Sequence, residues 1–403
     1  MQEGWPCRSM KAFVQGFLSA PWHRAPAVQR LALELSLNGA GEAVAELLNA
    51  LPALRSLQLG PSCSLDADVL ASLASAQALA QLTCLEFEGA RAETWSLAPL
   101  VSSARQLQVL DLSDSDFGDA DAQQLAAASL GPLLLSRLAF RRCRLRTPAG
   151  AVAVARILNS FGKVRHFSIQ ANAWRAEAHR AFAEQLAAPA AEGLLSLQAG
   201  YGAQPVPEAF SEQGRRLHFL SHFGVGLWLS AVLLRLERLQ ELRLERLPVG
   251  VVTFQILRRR LREPLALQTL ILWGCTGLTE WQAGRELAGF LTNCPHLERL
   301  DLAQSDATEA FLREIDSFRD ACPGDKRCES LLQAIDVVEE RLVMPKLPPQ
   351  LKQQLFKTPK LRQHLAMASS PRVERESELE ATQAQSLLDL AELSGPDSAG
   401  ANN

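Results

Sequence analysis

The 403-residue sequence has a single tyrosine, Tyr201, and only 6% aromatic residues. An interior built from it must therefore rest on aliphatic side chains, and leucine and alanine are abundant. No CxxC pair occurs. The eight cysteines (7, 63, 84, 143, 275, 294, 322 and 328) are scattered, which argues against a disulfide framework and suits reduced thiols in a cytoplasmic or nuclear protein. No Asn-X-Ser/Thr acceptor is present, in keeping with that location. GxxxxGK[ST], HExxH, GxSxG and GxGxxG are all missing, so the commonest nucleotide, zinc and serine-nucleophile signatures are excluded. No enzymatic activity, cofactor or metal is expected. The net charge is only -3, which gives no global attraction to nucleic acid or anionic membranes. The first 22 residues carry an early acid and no apolar core of signal-peptide length. One uncharged run, Leu217 to Leu234, reaches the lower edge of membrane-spanning length. With two histidines and two glycines inside it, it reads as a buried strand followed by a buried helix.

What the sequence does contain is a repeat. The stretch "LSRLAFRRCRL" from Leu135 has the form LxxLxLxxSxL, and "LQVLDLSDSDF" from Leu107 matches it. The same frame begins at Leu54, Leu82, Val164, Leu194, Leu239, Leu267 and Leu297, with a weaker copy at Val28 and a degraded one at Gly214. Clear neighbours are spaced about 28 residues apart, the upper end of the range for leucine-rich units. Within "RLAF", alternation directs Leu138 and Phe140 inward and Arg137, Ala139 and Arg141 outward. The ninth position holds Ser62, Ser115, Cys143, Asn172, Cys275 or Ser305, small residues suited to bonding the backbone where the chain leaves the strand. Between strands the period changes to helical. Thr147 with Pro148 predicts a helix start, and Thr279 with Gln282 a capping box. Trp174 falls at the last apolar position of its repeat, in the core.

These copies resemble the leucine-rich repeat family, specifically its long ribonuclease-inhibitor-like subclass. The resemblance implies an α/β solenoid, a horseshoe with a parallel sheet on its concave side and helices on its convex side. The expected organisation is an N-terminal helical cap at 1–27, containing a short amphipathic helix from Met10 to Leu18, and a solenoid of about 10 or 11 repeats at 28–306. A helical C-terminal cap at 307–368 and an acidic, disordered tail at 369–403 complete it. Cys322 and Cys328 in the cap are expected to be free thiols. Inside the tail, "SLLDLAEL" reads as a chance helical fragment, and opposite charges make the tail a candidate to dock on the basic part of the inner curve.

Such solenoids bind along their concave face, so the outward strand positions matter most. They run from acidic (Glu86, Glu88, Asp111, Asp114) to basic (Arg137, Arg141, Arg142, Arg165, His166). Arg215, Arg216 and His218 extend the basic part if Gly214 opens a strand, and mixed signs follow (Glu241, Arg243, Glu245, Arg246). No acidic residue lies between Asp121 and Glu177. Trp273 occupies an outward position and is a candidate aromatic anchor. The candidate partner-binding residues are thus Arg137, Arg141, Arg142, Arg165, His166, Arg243 and Trp273. His218 and His222 are four apart, a spacing a metal could use on a helix, but the frame puts His218 on a strand and makes the pair structural.

The reading that follows is a non-enzymatic scaffold or adaptor, monomeric alone, that binds another protein through an acidic surface on that protein. It involves no membrane. GTPase-activating proteins for the small GTPase Ran look similar, with the same class of repeat, and would need an exposed asparagine and arginine on the rim. Arg142, Arg144 and Asn172 are the nearby residues, and Asn172 already fills the ninth position. Nucleic-acid binding through the arginine cluster is the third alternative. It is poorly served by the lack of interleaved exposed aromatics and by the acidic stripe beside it.

Overall fold

The computed structural model describes residues 10–19, 28–128, 134–200 and 212–320. They lie in one compact unit, Met1–Ala334; the second unit, Ile335–Asn403, is outside the described residues, as are Cys322, Cys328 and the acidic tail with its docking candidate.

In chain order the strands are β1 (Arg30–Leu33), β2 (Ser56–Leu59), β3 (Ser64–Leu65), β4 (Cys84–Glu86), β5 (Arg91–Ala92) and β6 (Val109–Asp111). They continue as β7 (Arg137–Ala139), β8 (His166–Ser168), β9 (Ser196–Gly200), β10 (Glu241–Glu245), β11 (Thr269–Trp273) and β12 (Arg299–Asp301). Ten of them form one parallel sheet in sequential order, with β3 and β5 pairing separately. Each strand of the large sheet is one copy of the repeat, and a helix follows most of them. Helices packed side by side need about 8–10 Å each, whereas strands need about 4.8 Å. The sheet therefore takes the inside of the curve. The chain is an α/β solenoid of the leucine-rich repeat type.

The frame explains the core. Leu57, Leu85, Leu110, Leu138, Phe167, Leu197, Leu242, Leu270 and Leu300 occupy one register row and are all buried. Aromatic residues thread through this row of aliphatics: Phe117 stacks on Phe140 at 5.4 Å, and Phe140 meets Phe167 edge-on at 6.4 Å. Trp174 is buried as expected, against Phe182 and the fully buried His179. Ala139, expected to face outward into solvent, is only 1% exposed. It points to the inner curve, where larger neighbours cover its small side chain.

The turn after each strand has a feature absent from the sequence reading. Gly89, Asp114, Arg142, Ala171, Arg246, Gly274 and Gln304 all have positive φ, between 50° and 75°, and all occupy the eighth position of the frame. In five of these seven turns the ninth side chain, Ser115, Cys143, Asn172, Cys275 or Ser305, then closes the turn. The Cys143 thiol donates to the Leu112 carbonyl (3.1 Å), and Ser115 and Ser305 donate to Leu112 and Leu302 (2.6 Å each). Asn172 does most: its amide donates to Phe140 and Ile169 carbonyls and its Oδ1 accepts from the Cys143 N–H at 3.0 Å. In the second repeat the eighth residue is Pro61, whose ring locks φ negative. There the closing role passes from Ser62, which is exposed, to Cys63, whose thiol donates to the Leu33 carbonyl at 3.0 Å.

Two further expectations are corrected. No strand begins at Gly214: β9 pairs directly with β10, and the described part of the chain between them holds one 22-residue helix, Glu212–Leu233. Its sequence is apolar enough to satisfy either reading, but a strand there would have to insert between two strands already in register. Arg215, Arg216 and His218 therefore leave the sheet. Among the described residues no helix is long and apolar enough to cross a membrane. The Thr279/Gln282 capping box also does not form. The helix Trp281–Leu291 starts after Glu280 without a side-chain cap, and the Thr279 carbonyl instead accepts from Thr308 Oγ1 of the next repeat (2.8 Å). Thr147 does cap its helix, accepting from the Gly150 N–H at 3.1 Å with Pro148 in the first turn. At the N-terminus the helix Met10–Ser19 packs on the helix Gly41–Asn49 and buries Val14.

Candidate binding face

Strand register places the inner-face residues in three rows. The first runs Val109, Arg137, His166, Ser196, Glu241; the second runs Asp111, Ala139, Ser168, Gln198, Arg243. The third lies one alternation further along, with Ser113, Arg141, Gln170, Gly200 and Glu245. Around β7, β8 and β9 the middle row is Ala139, Ser168 and Gln198, two small side chains beside one longer amide, and Ser196 adds a further small residue in the first row next to His166. The result is a recess of about 230 Å³ lined by Arg137, Arg141, His166, Ser168, Gln198 and Glu241.

The structure thus brings together three of the seven sequence-predicted residues. Arg137 opens β7 and is exposed, and His166 sits beside it in register. Arg141 is half-buried, and its Nε donates to Ser113 Oγ at 3.2 Å, which fixes the guanidinium plane. The other four stand elsewhere. Arg142 takes the left-handed eighth position and leaves the strand, forming a bidentate pair with Asp114 whose Nη2–Oδ2 distance is 2.7 Å. That hydrogen bond raises the guanidinium above its ordinary pKa. Arg165 lies just before β8, where its N–H and carbonyl bond the flanking repeats through Ser136 and Ser196. Arg243 is in the middle of β10, two strands from β8, and its Nε is buried without a hydrogen-bond partner among the described residues. Trp273 ends β11 half-buried, with the Arg246 guanidinium carbon 5.3 Å from its ring centroid. A cation already covers the face it was expected to offer.

The acidic and basic stripes also prove to be coupled rather than separate. Asp111, only 8% exposed, lies 3.9 Å from Arg137, and Asp114 holds Arg142. Other acids in the repeat are structural. Asp116 accepts from the Trp95 indole at 2.8 Å, and Asp306 accepts from the Gly277 and Leu278 N–H groups at 2.8 Å each. These carboxylates tie one turn to the next and are not free for a partner.

Residues missed by the sequence reading are Ser168, Ser196 and Gln198. Ser168 is 8% exposed, lines the recess and has no hydrogen-bond partner for Oγ among the described residues. A buried hydroxyl left unpaired costs about 1–3 kcal/mol. The readable signal was the succession of small residues at outward positions.

His222, expected to pair structurally with His218, is buried, and its carbonyl accepts from Thr253 Oγ1 at 2.9 Å. No cluster of three metal-ligating side chains exists among the described residues. The thiols are shielded: burial pushes Cys275 and Cys294 up to about 12, and burial with the neighbouring Glu86 carboxylate pushes Cys84 up to about 11.

The fold and this face define the class: a repeat solenoid with a charged, recessed inner sheet. No known family pattern and no curated protein matches the sequence. Among solved structures, the chain is similar to one in "Crystal structure of TLR13-ssRNA13 complex", at 12% identity over 67% of this chain and 39% of that chain, with a TM-score of 0.33. It is likewise similar to an internalin (inlF) from Listeria monocytogenes, at 12% identity over 76% of this chain and 91% of that one, with a TM-score of 0.34. This chain spans 39% of the length of the first. At such values neither likeness bears on what the protein binds.

Proposed function

We propose that the protein is a non-enzymatic interaction scaffold, of the ribonuclease-inhibitor-like kind, that binds another protein through an acidic feature seated on its inner sheet. The subclass is supported by repeats of about 28 residues with a helix in most of them. The observation that carries the binding reading is the gathering of Arg137, Arg141 and His166 around one recess. A rigid sheet that presents cations at fixed spacing supplies register and electrostatic steering. Among the described residues, the five cysteines have no disulfide partners and four of them are buried, which supports a cytoplasmic or nuclear setting. Burial of Asn172 at 1% exposure, with both ends of its amide bonded, removes the rim asparagine that a Ran-type GTPase-activating role requires. The test is capture from the native cell at rising salt with wild type and an Arg137→Glu/Arg141→Glu variant. A specific partner should be lost with the variant and weaken with salt. A partner indifferent to both would refute the reading.

A further inference from the structure

We propose that the recess over β7–β9 takes a single phosphorylated serine or threonine side chain of the partner. This deepens the scaffold reading and rests on it. Ser168 is the group that calls for a ligand. Its hydroxyl is buried at 8% exposure, faces the recess and has no partner among the described residues. Buried polar atoms are nearly always bonded, so the group is a donor held ready for something that enters.

What enters is anionic, because the groups within reach of that hydroxyl are cationic or neutral donors. Arg137 and His166 stand side by side in register in the first row. Arg141 stands in the third row on the opposite side of Ala139, which pairs with Ser168. Rows on one face are about 7 Å apart and strands about 4.8 Å, so an oxyanion above Ser168 lies within reach of both arginine side chains. The Arg141 Nε is held by Ser113 Oγ, which orients its terminal N–H groups. The one acid in the lining, Glu241, lies two strands and one row from Ser168, about 12 Å away on the strand and row spacings. At that distance it is placed to accept a backbone N–H of the peptide that carries the phosphate.

A phosphoryl group fits better than a carboxylate for two reasons. Its three terminal oxygens need donors from three directions, and the recess supplies them from the Arg137/His166 wall, the Arg141 wall and the Ser168 floor. Its charge of about -1.5 to -2 calls for two guanidinium groups, particularly as Asp111 draws on Arg137 at 3.9 Å. A carboxylate is planar, has one charge and would leave one wall unused.

The test uses the full chain and three small probes: N-acetyl-O-phosphoserine methylamide, its unphosphorylated form and N-acetylglutamate methylamide, followed by calorimetry or NMR titration. The phosphorylated probe should bind wild type at least about tenfold more tightly than the glutamate probe. Arg141→Gln should weaken it about tenfold or more, and Ser168→Ala about threefold or more, with thermal unfolding of each variant confirming an intact fold. Arg258→Gln, on the outer helix Val251–Arg260 where Arg258 pairs with Glu286, should bind as wild type does. Equal affinity for the two acidic probes, or an Arg141→Gln variant that binds normally, would overturn the phosphate assignment. So would a wild-type protein that does not bind the phosphorylated probe. If that probe fails while Arg137→Glu/Arg141→Glu still abolishes partner capture, this inference falls and the scaffold reading stands.

Discussion

Replacing His179 with phenylalanine should remove most of one proton's worth of acid sensitivity from the protein's stability. His179 is 0% exposed, stacked on Trp228 with ring centroids 4.5 Å apart and planes 14° apart, and met edge-on by Trp174 at 5.3 Å. Loss of hydration lowers its pKa to about 3, against about 6.5 for an exposed histidine. The native state thus holds a neutral ring where the unfolded chain binds a proton. Stability is fully present above about pH 6.5 and declines as pH falls, because the unfolded state takes up the extra proton. Between pH 7 and pH 5 the loss is about 2 kcal/mol from this group alone, below the limit of 1.36 kcal/mol per pH unit because the unfolded histidine is only partly protonated near pH 6.5. For a chain of this size that corresponds to a Tm decrease on the order of 4 °C. The assay is thermal unfolding of wild type and His179→Phe across that range. The difference in Tm between them should shift by about that amount in favour of the variant as pH drops. Parallel pH profiles for the two proteins would refute the reasoning, whatever their absolute Tm.

Two other perturbations test the repeat itself. Asn172→Ala leaves the Cys143 N–H and the Phe140 and Ile169 carbonyls without their side-chain partner and should destabilise the chain by about 3–5 kcal/mol, read by denaturant titration. Gly277→Ala places a methyl group against the His222 ring and the Val249 carbonyl at φ +94°. It should lower stability by about 2–4 kcal/mol, whereas alanine at Gly162, which meets nothing within 4 Å despite φ +60°, should be destabilised by about 1–2 kcal/mol for the backbone alone.

The solenoid was legible because its leucines recur at fixed spacing and cannot be buried except by the next copy. The left-handed eighth position was not, since Asp114, Arg142, Ala171, Arg246 and Gln304 share it with glycines. The turn recurs whether a polar side chain such as Ser115, Cys143 or Asn172 follows or an apolar one such as Ala90 or Leu247, and no propensity marks it. The helix Glu212–Leu233 was misread for a related reason: a leucine-rich apolar run has no period strong enough to separate helix from strand, and only the direct pairing of β9 with β10 decides. On the inner sheet, strand alternation in the sequence points to the positions that Arg137, Arg141 and His166 occupy. Their partners were not legible, because Asp111 and Asp114 come from the preceding repeat, 28 residues away in the hydrogen-bonded pair Arg142–Asp114. The recess itself depends on what is small, Ala139, Ser168 and Ser196, and small residues carry no charge that would mark a site in the sequence.

In the proposed binding mode the partner sits on the inner sheet at β7–β9. Equilibrium affinity for the captured partner should be measured with two charge reversals, Arg137→Glu/Arg141→Glu on the inner sheet and Arg258→Glu on an outer helix. The inner reversal should weaken binding by about a hundredfold, on the scale of buried charge pairs at interfaces, and the outer one should leave it unchanged. Loss of binding with the outer variant alone, or wild-type affinity for both, would contradict the claim.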